Sequence, residues 1–294
     1  MKTKIDFLKL RIIGYIFYLA LLIIFFVGGY LRGGMNMGID FVGGAKIMAE
    51  FSKTVTEGDI REVLKEFDPM IQSVGEKARN EFIITSKIVE KGMGGQGALV
   101  DLKDKLHAAY PDVQLLSEEN VGPAVSGMMS RSAIKLVILS ILMMTVYLTY
   151  RFEFKYSVAA MLSLIISVTL SIGFITIMGI ELAIPIIAAL LTIFGYAVND
   201  TIVVFDRIRE NSKHQAQITT YDMINKSINQ TLSRTILTTA TTVFAVFVLF
   251  LIGGDVLHPF ATVLLFGISL SVFSTIFLAS PFLYEWEKIK NRKK

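Results

Sequence analysis

Six long apolar segments set the pattern of the chain. They cover residues 12–31, 133–150, 157–180, 182–205, 234–252 and 259–284. A helix needs about 20 mostly apolar residues to cross about 30 Å of hydrocarbon, so each segment predicts a membrane-spanning helix. The second segment holds Lys135 close to its start, where a long side chain can reach the membrane interface. The pattern therefore predicts an α-helical integral membrane protein with six transmembrane helices.

The region between the first two apolar segments consists of short stretches with strand or helix periodicity, which is typical of a soluble α+β domain. Its predicted elements are strands at 45–51, 72–76, 81–89 and 113–122, helices at 56–67 and 98–110, a turn at 77–80 and a glycine-rich loop at 92–97. Thr56 is placed to cap the first of these helices. The order βαββαβ predicts a small ferredoxin-like domain, a fold that hosts many functions.

The distribution of Lys and Arg predicts the orientation of the chain. These residues gather at the N-terminus, in the loop at 151–156, around the loop after the fourth segment and in the C-terminal tail. The opposite short loops, "GIELAI" and "GGDVLHP", contain none. Basic loops stay on the cytoplasmic side, so both termini are expected there. The first apolar segment is too long for a signal peptide core and is expected to remain as an anchor.

These expectations divide the chain into four parts. The parts are a cytoplasmic N-terminus with the first transmembrane helix (1–31), an extracytoplasmic ferredoxin-like domain (32–131), a five-helix transmembrane bundle (132–284) and a basic cytoplasmic tail (285–294).

Composition narrows the possible functions. Hydrophobic residues make up 53% of the chain, there is no cysteine, and the three histidines have no metal-ligand spacing. No GxxxxGK[ST] phosphate loop is present. The net charge is +4, but residues 32–130 hold 11 basic and 15 acidic residues, so the basic excess marks the cytoplasmic side and not a nucleic-acid site. We expect no metal, no cofactor and no enzymatic activity.

The stretch "GYAVNDTIVVFDRIRE" (195–210) places Asn199 and Asp200 inside the fourth apolar segment. A carboxylate at the centre of a bilayer helix costs about 2.5–3.5 kcal/mol on an insertion scale, which marks Asp200 as a candidate functional residue. At helical spacing, Tyr196 and Thr192 extend a polar stripe from it. In the fifth segment, Arg234, Thr238 and Thr241 or Thr242 form a matching stripe.

Three interpretations of Asp200 are open. A static pair with Arg234 would fix how the helices pack. Alternatively, the carboxyl group exchanges protons, its charged form stabilised by Arg234 and its neutral form by the hydrocarbon. Asp200 would be a surface residue if the segment were shorter. In the proton-exchange interpretation the membrane potential supplies the free energy. One charge crossing 100 mV releases about 2.3 kcal/mol, enough to bias the equilibrium between two conformations.

Four motifs carry a resemblance to a known family. They are "GIDFVGG" (38–44), "VGPAV" (121–125), "GYAVNDTIVVFDRIRE" (195–210) and "LSRTILTTATT" (232–242). With these motifs in this order, the chain resembles the SecD/SecF family of bacterial protein-export subunits, within the resistance-nodulation-division superfamily. The resemblance implies that the chain pairs with SecD in the bacterial cytoplasmic membrane. It also implies that the complex assists the SecYEG channel, using the proton motive force to pull or release preproteins on the outer side.

The resemblance also implies roles for particular residues. Asp200 would carry the proton, with Asn199, Arg234 and Thr238 completing the relay. Asp206 and Arg207, at the cytoplasmic helix end, would be a coupling segment. Apart from the resemblance, the glycine-rich segment "GIDFVGG" is compatible with a moving hinge at Gly38, Asp40, Gly43 and Gly44. A glycine-rich turn in which Asp40 caps nearby amides is the simpler account of "GIDFVGG". Ala197 departs from the serine that the family often has there, so this position supplies no hydroxyl group.

Two other functions remain open. One is a proton-coupled exporter of small molecules or lipids, although such exporters usually carry two six-helix halves. The other is a membrane scaffold with a static Asp200–Arg234 pair. A sodium ion is also open as the coupling ion, because a carboxylate with hydroxyl neighbours can bind either cation.

Overall fold

Long helices make up most of the chain in this computed structural model, which describes residues 5–74, 80–87, 95–214 and 218–292. Six helical segments of the described residues are long and apolar enough to cross a membrane, which confirms the prediction of six. These segments are Leu8–Leu31, Pro123–Arg151, Phe154–Met178, Ile184–Lys213, Thr220–Ile252 and Val256–Lys290.

The individual elements follow in chain order. The helices are α1 (Arg11–Leu31), α2 (Ile39–Val42), α3 (Glu57–Val63), α4 (Gly95–Ala109), α5 (Pro123–Arg151), α6 (Phe154–Met178), α7 (Ile184–His214), α8 (Thr220–Ile252), α9 (Gly254–Ser274) and α10 (Ser280–Arg292). The strands are β1 (Gly44–Glu50), β2 (Met70–Val74), β3 (Glu81–Lys87) and β4 (Gln114–Val121). Short 3-10 turns cover Leu8–Leu10 and Lys65–Phe67, and a π-helical turn covers Thr275–Ala279 between α9 and α10.

Several helices extend beyond the predicted apolar segments. Helix α8 begins at Thr220 and not at 234, because Thr219 caps it by accepting a hydrogen bond from the Asp222 amide. Helix α5 begins at Pro123, a residue suited to a first helical turn. Hydropathy marks only the apolar part of a helix, so the predicted boundaries were too short at these ends.

Two compact units make up the chain. The first unit comprises Met1–Met35, Val137–Ile180 and Pro185–Lys294, and the second comprises Asn36–Leu136 with Glu181–Ile184. Each unit has its own hydrophobic core.

The second unit contains a four-stranded antiparallel sheet in the order β2-β3-β1-β4. Helix α3 connects β1 to β2, and α4 connects β3 to β4, so the predicted order βαββαβ is confirmed. Its core is built from fully buried aliphatic side chains: Ile47, Ile60, Leu64, Ile84, Leu102 and Leu106. The predicted turn at 77–80 lies outside the described residues except for its last residue. Residues 92–94 of the predicted glycine-rich loop also lie outside them, whereas residues 95–97 are helical, so α4 begins three residues earlier than the predicted 98.

Small residues allow close helix packing in the first unit. A Cβ atom added at Gly173 of α6 would lie 2.5 Å from Phe25 of α1, and one added at Gly267 of α9 would lie 2.1 Å from Ile193 of α7. The serines at positions 163, 167 and 171 of α6 are likewise buried. Small residues at helix interfaces let the backbones approach one another closely.

Candidate functional site

Asp200 lies in the middle of α7 with only 3% of its surface exposed. Its Oδ2 atom has no hydrogen-bond partner among the described residues. The neighbouring Thr201 hydroxyl donates to the Ala197 carbonyl at 2.9 Å and lies 3.0 Å from the Thr275 hydroxyl of the π-helical turn. Asp200 is therefore a buried carboxyl group, and the interpretation that places it on the protein surface is wrong.

Polar contacts along α7 and α8 fix the antiparallel register of the two helices. At one end the Thr242 hydroxyl donates to the Tyr196 hydroxyl at 3.2 Å. At the other end the Asn211 amide donates to the Ser227 hydroxyl at 2.7 Å. Between these contacts the Thr239 side chain lies beside the Asp200 carboxyl group and interacts with it.

A stripe of buried hydroxyl groups runs along the face of α8 that meets α7. Its members recur every four residues and all keep less than 9% exposure: Ser227, Thr231, Thr235 and Thr239. Side chains four apart lie above one another on a helix, so one face carries them all. The Thr231 hydroxyl bonds the Ser227 carbonyl at 3.1 Å, whereas Thr235 Oγ1 has no partner among the described residues.

The predicted pairing of Asp200 with Arg234 is not found among the ion pairs of the described residues. Arg234 is exposed on the surface of this chain, and the exposed Thr238 hydroxyl bonds the Arg234 carbonyl at 3.0 Å. Arg234 precedes Thr235 by one residue, which is about 100° around an α-helix. The stripe predicted on α8, which begins at Arg234, therefore lies one residue away from the buried stripe that meets Asp200. Asn199, next to Asp200 on α7, is also exposed.

Asp206 and Arg207 connect α7 to two other helices. Asp206 forms an ion pair of 2.9 Å with Arg151, the last residue of α5. Arg207 donates to Gln230 of α8 at 2.7 Å and pairs with Glu210 at 2.6 Å. Exposed pairs of this kind are worth about 0–1 kcal/mol each, so they orient the helix end more than they stabilise it.

The predicted hinge residues surround the short helix α2. The Gly38 amide donates to the Leu182 carbonyl at 2.8 Å, and Asp40 Oδ2 accepts from the amide of Ile184 at 2.9 Å. Asp40 thus caps the first residue of α7. The simpler prediction from the sequence was that Asp40 caps amides near it in the chain. Gly43 and Gly44 have φ angles of +81° and +145°, which favour glycine. The hinge role of these residues remains a prediction.

Sequence reasoning missed Thr201, Thr235, Thr239 and Thr275 as neighbours of the site. The four-residue recurrence of hydroxyl groups in α8 was a usable signal for Thr235 and Thr239. The position of Thr275 depends on the π-helical turn, where Ser280 donates to the Thr275 carbonyl at 3.0 Å across five residues. Such turns interrupt α-helices, often at functional sites, and no spacing rule in the sequence indicates this one.

The fold and the site define a multi-pass membrane protein with a buried carboxyl group in a hydroxyl-lined helix interface. Residues 101–289 match the family described as "Protein export membrane protein SecD/SecF, C-terminal". The protein translocase subunit SecF of Desulfurispirillum indicum is 38% identical over 263 residues, which cover 86% of this chain and 82% of that relative. SecF of Endomicrobium trichonymphae is 36% identical over 280 residues, covering 94% and 89%.

A solved structure extends this similarity to three dimensions. The crystal structure of SecDF, a translocon-associated membrane protein from Thermus thermophilus, matches 97% of this chain with a TM-score of 0.85 and 30% identity. This chain spans 39% of that SecDF chain. The chain belongs to the SecD/SecF family and resembles its SecF subunits along most of its length. It is a multi-pass bacterial membrane protein of the Sec protein-transport pathway.

Proposed function

We propose that this chain is the SecF-type partner of SecD and uses the proton motive force to assist protein translocation through SecYEG. Asp200, with Asn199 next to it on α7 and Arg234 and Thr238 on α8, is the proton relay of this proposal. The observation that carries it is the Asp200 carboxyl group, which is 3% exposed and has one oxygen without a partner among the described residues. A charged side chain within a membrane helix is costly and marks ion pathways.

Proton exchange at Asp200 supplies a switch between two arrangements of α7 and α8. A neutral carboxyl group suits the hydroxyl-lined contact with Thr239, and a carboxylate requires a cation. Arg234 lies about 100° around α8 from the buried stripe, so a rotation of α8 brings it toward Asp200. The proton gradient drives this cycle, since one charge crossing 100 mV releases about 2.3 kcal/mol.

The orientation of the chain gives the cycle its direction. A cytoplasmic position of both termini is supported by the Lys and Arg residues of the N-terminus, the tail and two loops. Residues 32–131 are then an extracytoplasmic ferredoxin-like domain, available to preproteins on the outer side. Asp206 and Arg207 lie at the cytoplasmic end of α7, where their contacts with Arg151 and Gln230 transmit the movement to α5 and α8.

The substitution Asp200→Asn tests the proposal, because asparagine keeps the shape of the side chain and cannot bind the proton. Membrane vesicles that contain the variant with SecD and SecYEG should export a preprotein at a rate independent of the proton gradient. Export that keeps its full response to the gradient would contradict the proposal. A static scaffold predicts instead that the variant lowers the amount of assembled complex, which a membrane immunoblot measures.

A further inference from the structure

Two buried polar atoms at the α7–α8 interface have no hydrogen-bond partner among the described residues. They are Asp200 Oδ2 and Thr235 Oγ1, and each side chain belongs to a residue with 3% exposure. Buried polar atoms are almost always satisfied by protein or by ordered water, so two such atoms in one interface indicate a small polar ligand.

The two atoms belong to the same part of the interface. Thr239 lies beside the Asp200 carboxyl group, and Thr235 precedes Thr239 by one helical turn. Side chains at this spacing have Cβ atoms about 5–6 Å apart on one face of a helix. A buried water molecule makes two to four hydrogen bonds, so one molecule has enough bonds for the two threonine hydroxyl groups and the carboxyl oxygen.

The charged and titratable groups around Asp200 have other partners or face away. On α7 the Tyr196 hydroxyl is bonded to Thr242, and the ion pairs involve Asp206 and Arg207. On α8 Arg234 is exposed on the surface of this chain. The π-helical turn presents Thr275, whose hydroxyl bonds the Ser271 carbonyl and lies 3.0 Å from the Thr201 hydroxyl. On α8, the buried hydroxyl-bearing side chains that remain for the carboxyl group are Thr239 beside it and Thr235 one turn earlier on the same face.

We infer that Thr235 and Thr239 bind one water molecule against Asp200 Oδ2, and that the proton enters and leaves the carboxyl group through this water. The inference rests on the proposed proton exchange at Asp200 and adds two positioning residues to it. In the exchange, an O–H bond of the hydrated proton breaks and an O–H bond to Asp200 Oδ2 forms. The products are a neutral carboxyl group and a neutral water molecule, so atoms and charge balance.

Infrared difference spectroscopy tests the inference on the chain in complex with SecD in lipid vesicles. Spectra recorded between acidic and alkaline pH identify the Asp200 carbonyl band, which is absent in Asp200→Asn. A water O–H band that shifts in oxygen-18 water should accompany it. We expect Thr235→Val and Thr239→Val to remove the water band and to move the Asp200 carbonyl band to higher wavenumber, because the carboxyl group loses a hydrogen-bond partner.

Two sets of variants control for general damage to the packing. Thr231→Val alters the same face of α8, but its hydroxyl bonds the Ser227 carbonyl of its own helix, so the water band should persist. Thr235→Ser and Thr239→Ser retain the hydroxyl group and should restore the band.

The outcomes separate the inference from the function on which it rests. A water band that persists in both valine variants, or that disappears in the serine variants, overturns the inference and leaves proton exchange at Asp200 intact. Wild-type spectra without an Asp200 band would overturn both.

Discussion

At the scale of single residues, two kinds of position are constrained most strongly. A charged Asp200 costs about 2.5–3.5 kcal/mol in hydrocarbon, and no ion pair among the described residues offsets this free energy. We therefore attribute the presence of Asp200 to its function. Gly44, in the second unit, is constrained by its backbone, since its φ of +145° is essentially restricted to glycine. A Cβ atom there would lie 2.3 Å from the Ser86 carbonyl oxygen.

Gly44→Ala should therefore destabilise the sheet by about 1–3 kcal/mol, the usual cost of a strained backbone position. Hydrogen–deuterium exchange of the β1 and β3 amides in the full chain measures this loss. Gly97→Ala is the matched control, because Gly97 lies in α4 and a Cβ atom added there would have no atom of the described residues within 4 Å. Alanine there should stabilise the helix by about 0.4–1 kcal/mol. Equal protection in wild type and Gly44→Ala would contradict the strain argument.

At the scale of elements, short local interactions define helix ends, and long polar stripes define helix pairing. Helix ends could be predicted from the sequence. Thr56, for example, caps α3 through a capping box with Asp59. Hydropathy and periodicity also located the six apolar helices and the βαββαβ order, because both signals are local. The face of α8 that meets Asp200 was predicted wrongly by one residue, since the rotation of a helix depends on its packing partners. The Asp40–Ile184 contact joins residues 144 apart, so local rules do not reach it.

The α3 cap should give the second unit a dependence on acidic pH. Hydrogen bonds from the Thr56 side chain and backbone lower the pKa of Asp59 from its ordinary 3.8. A depressed pKa in the folded state stabilises the fold above pH 3.8, and this contribution is lost as the pH falls through the lowered value. Carbon-13 NMR titration should show the Asp59 pKa returning toward 3.8 in Thr56→Ala, which should also cost about 1 kcal/mol of stability. An unchanged Asp59 titration in the variant would contradict this account.

The α7–α8 pairing predicts a specific cross-link. The chain has no cysteine, so Asn211→Cys combined with Ser227→Cys places two thiols where the native side chains are 2.7 Å apart. A short thiol-reactive cross-linker should join them efficiently, as judged by the mobility of a chain cleaved between the helices. The pair Asn211→Cys and Lys226→Cys serves as the control, because position 226 is about 100° around α8. Cross-linking that favours the control pair would show that the register is wrong.

At the scale of the whole molecule, the asymmetric Lys and Arg distribution predicts orientation. Cysteine introduced at the exposed Lys53 should react with a membrane-impermeant maleimide added to the outer side of intact cells stripped of their outer membrane. Cysteine at the exposed Lys290 should react only after the membrane is permeabilised. The reverse labelling pattern would invert the proposed direction of proton flow.

The most direct test of the central claim imposes proton and sodium gradients separately on vesicles that contain this chain, SecD and SecYEG. We predict that a proton gradient alone accelerates preprotein export with wild-type chain, that Asp200→Asn abolishes this acceleration, and that a sodium gradient accelerates neither. Acceleration by protons that survives in Asp200→Asn would contradict the claim that Asp200 carries the coupling proton, and acceleration by sodium alone would contradict the identity of the ion.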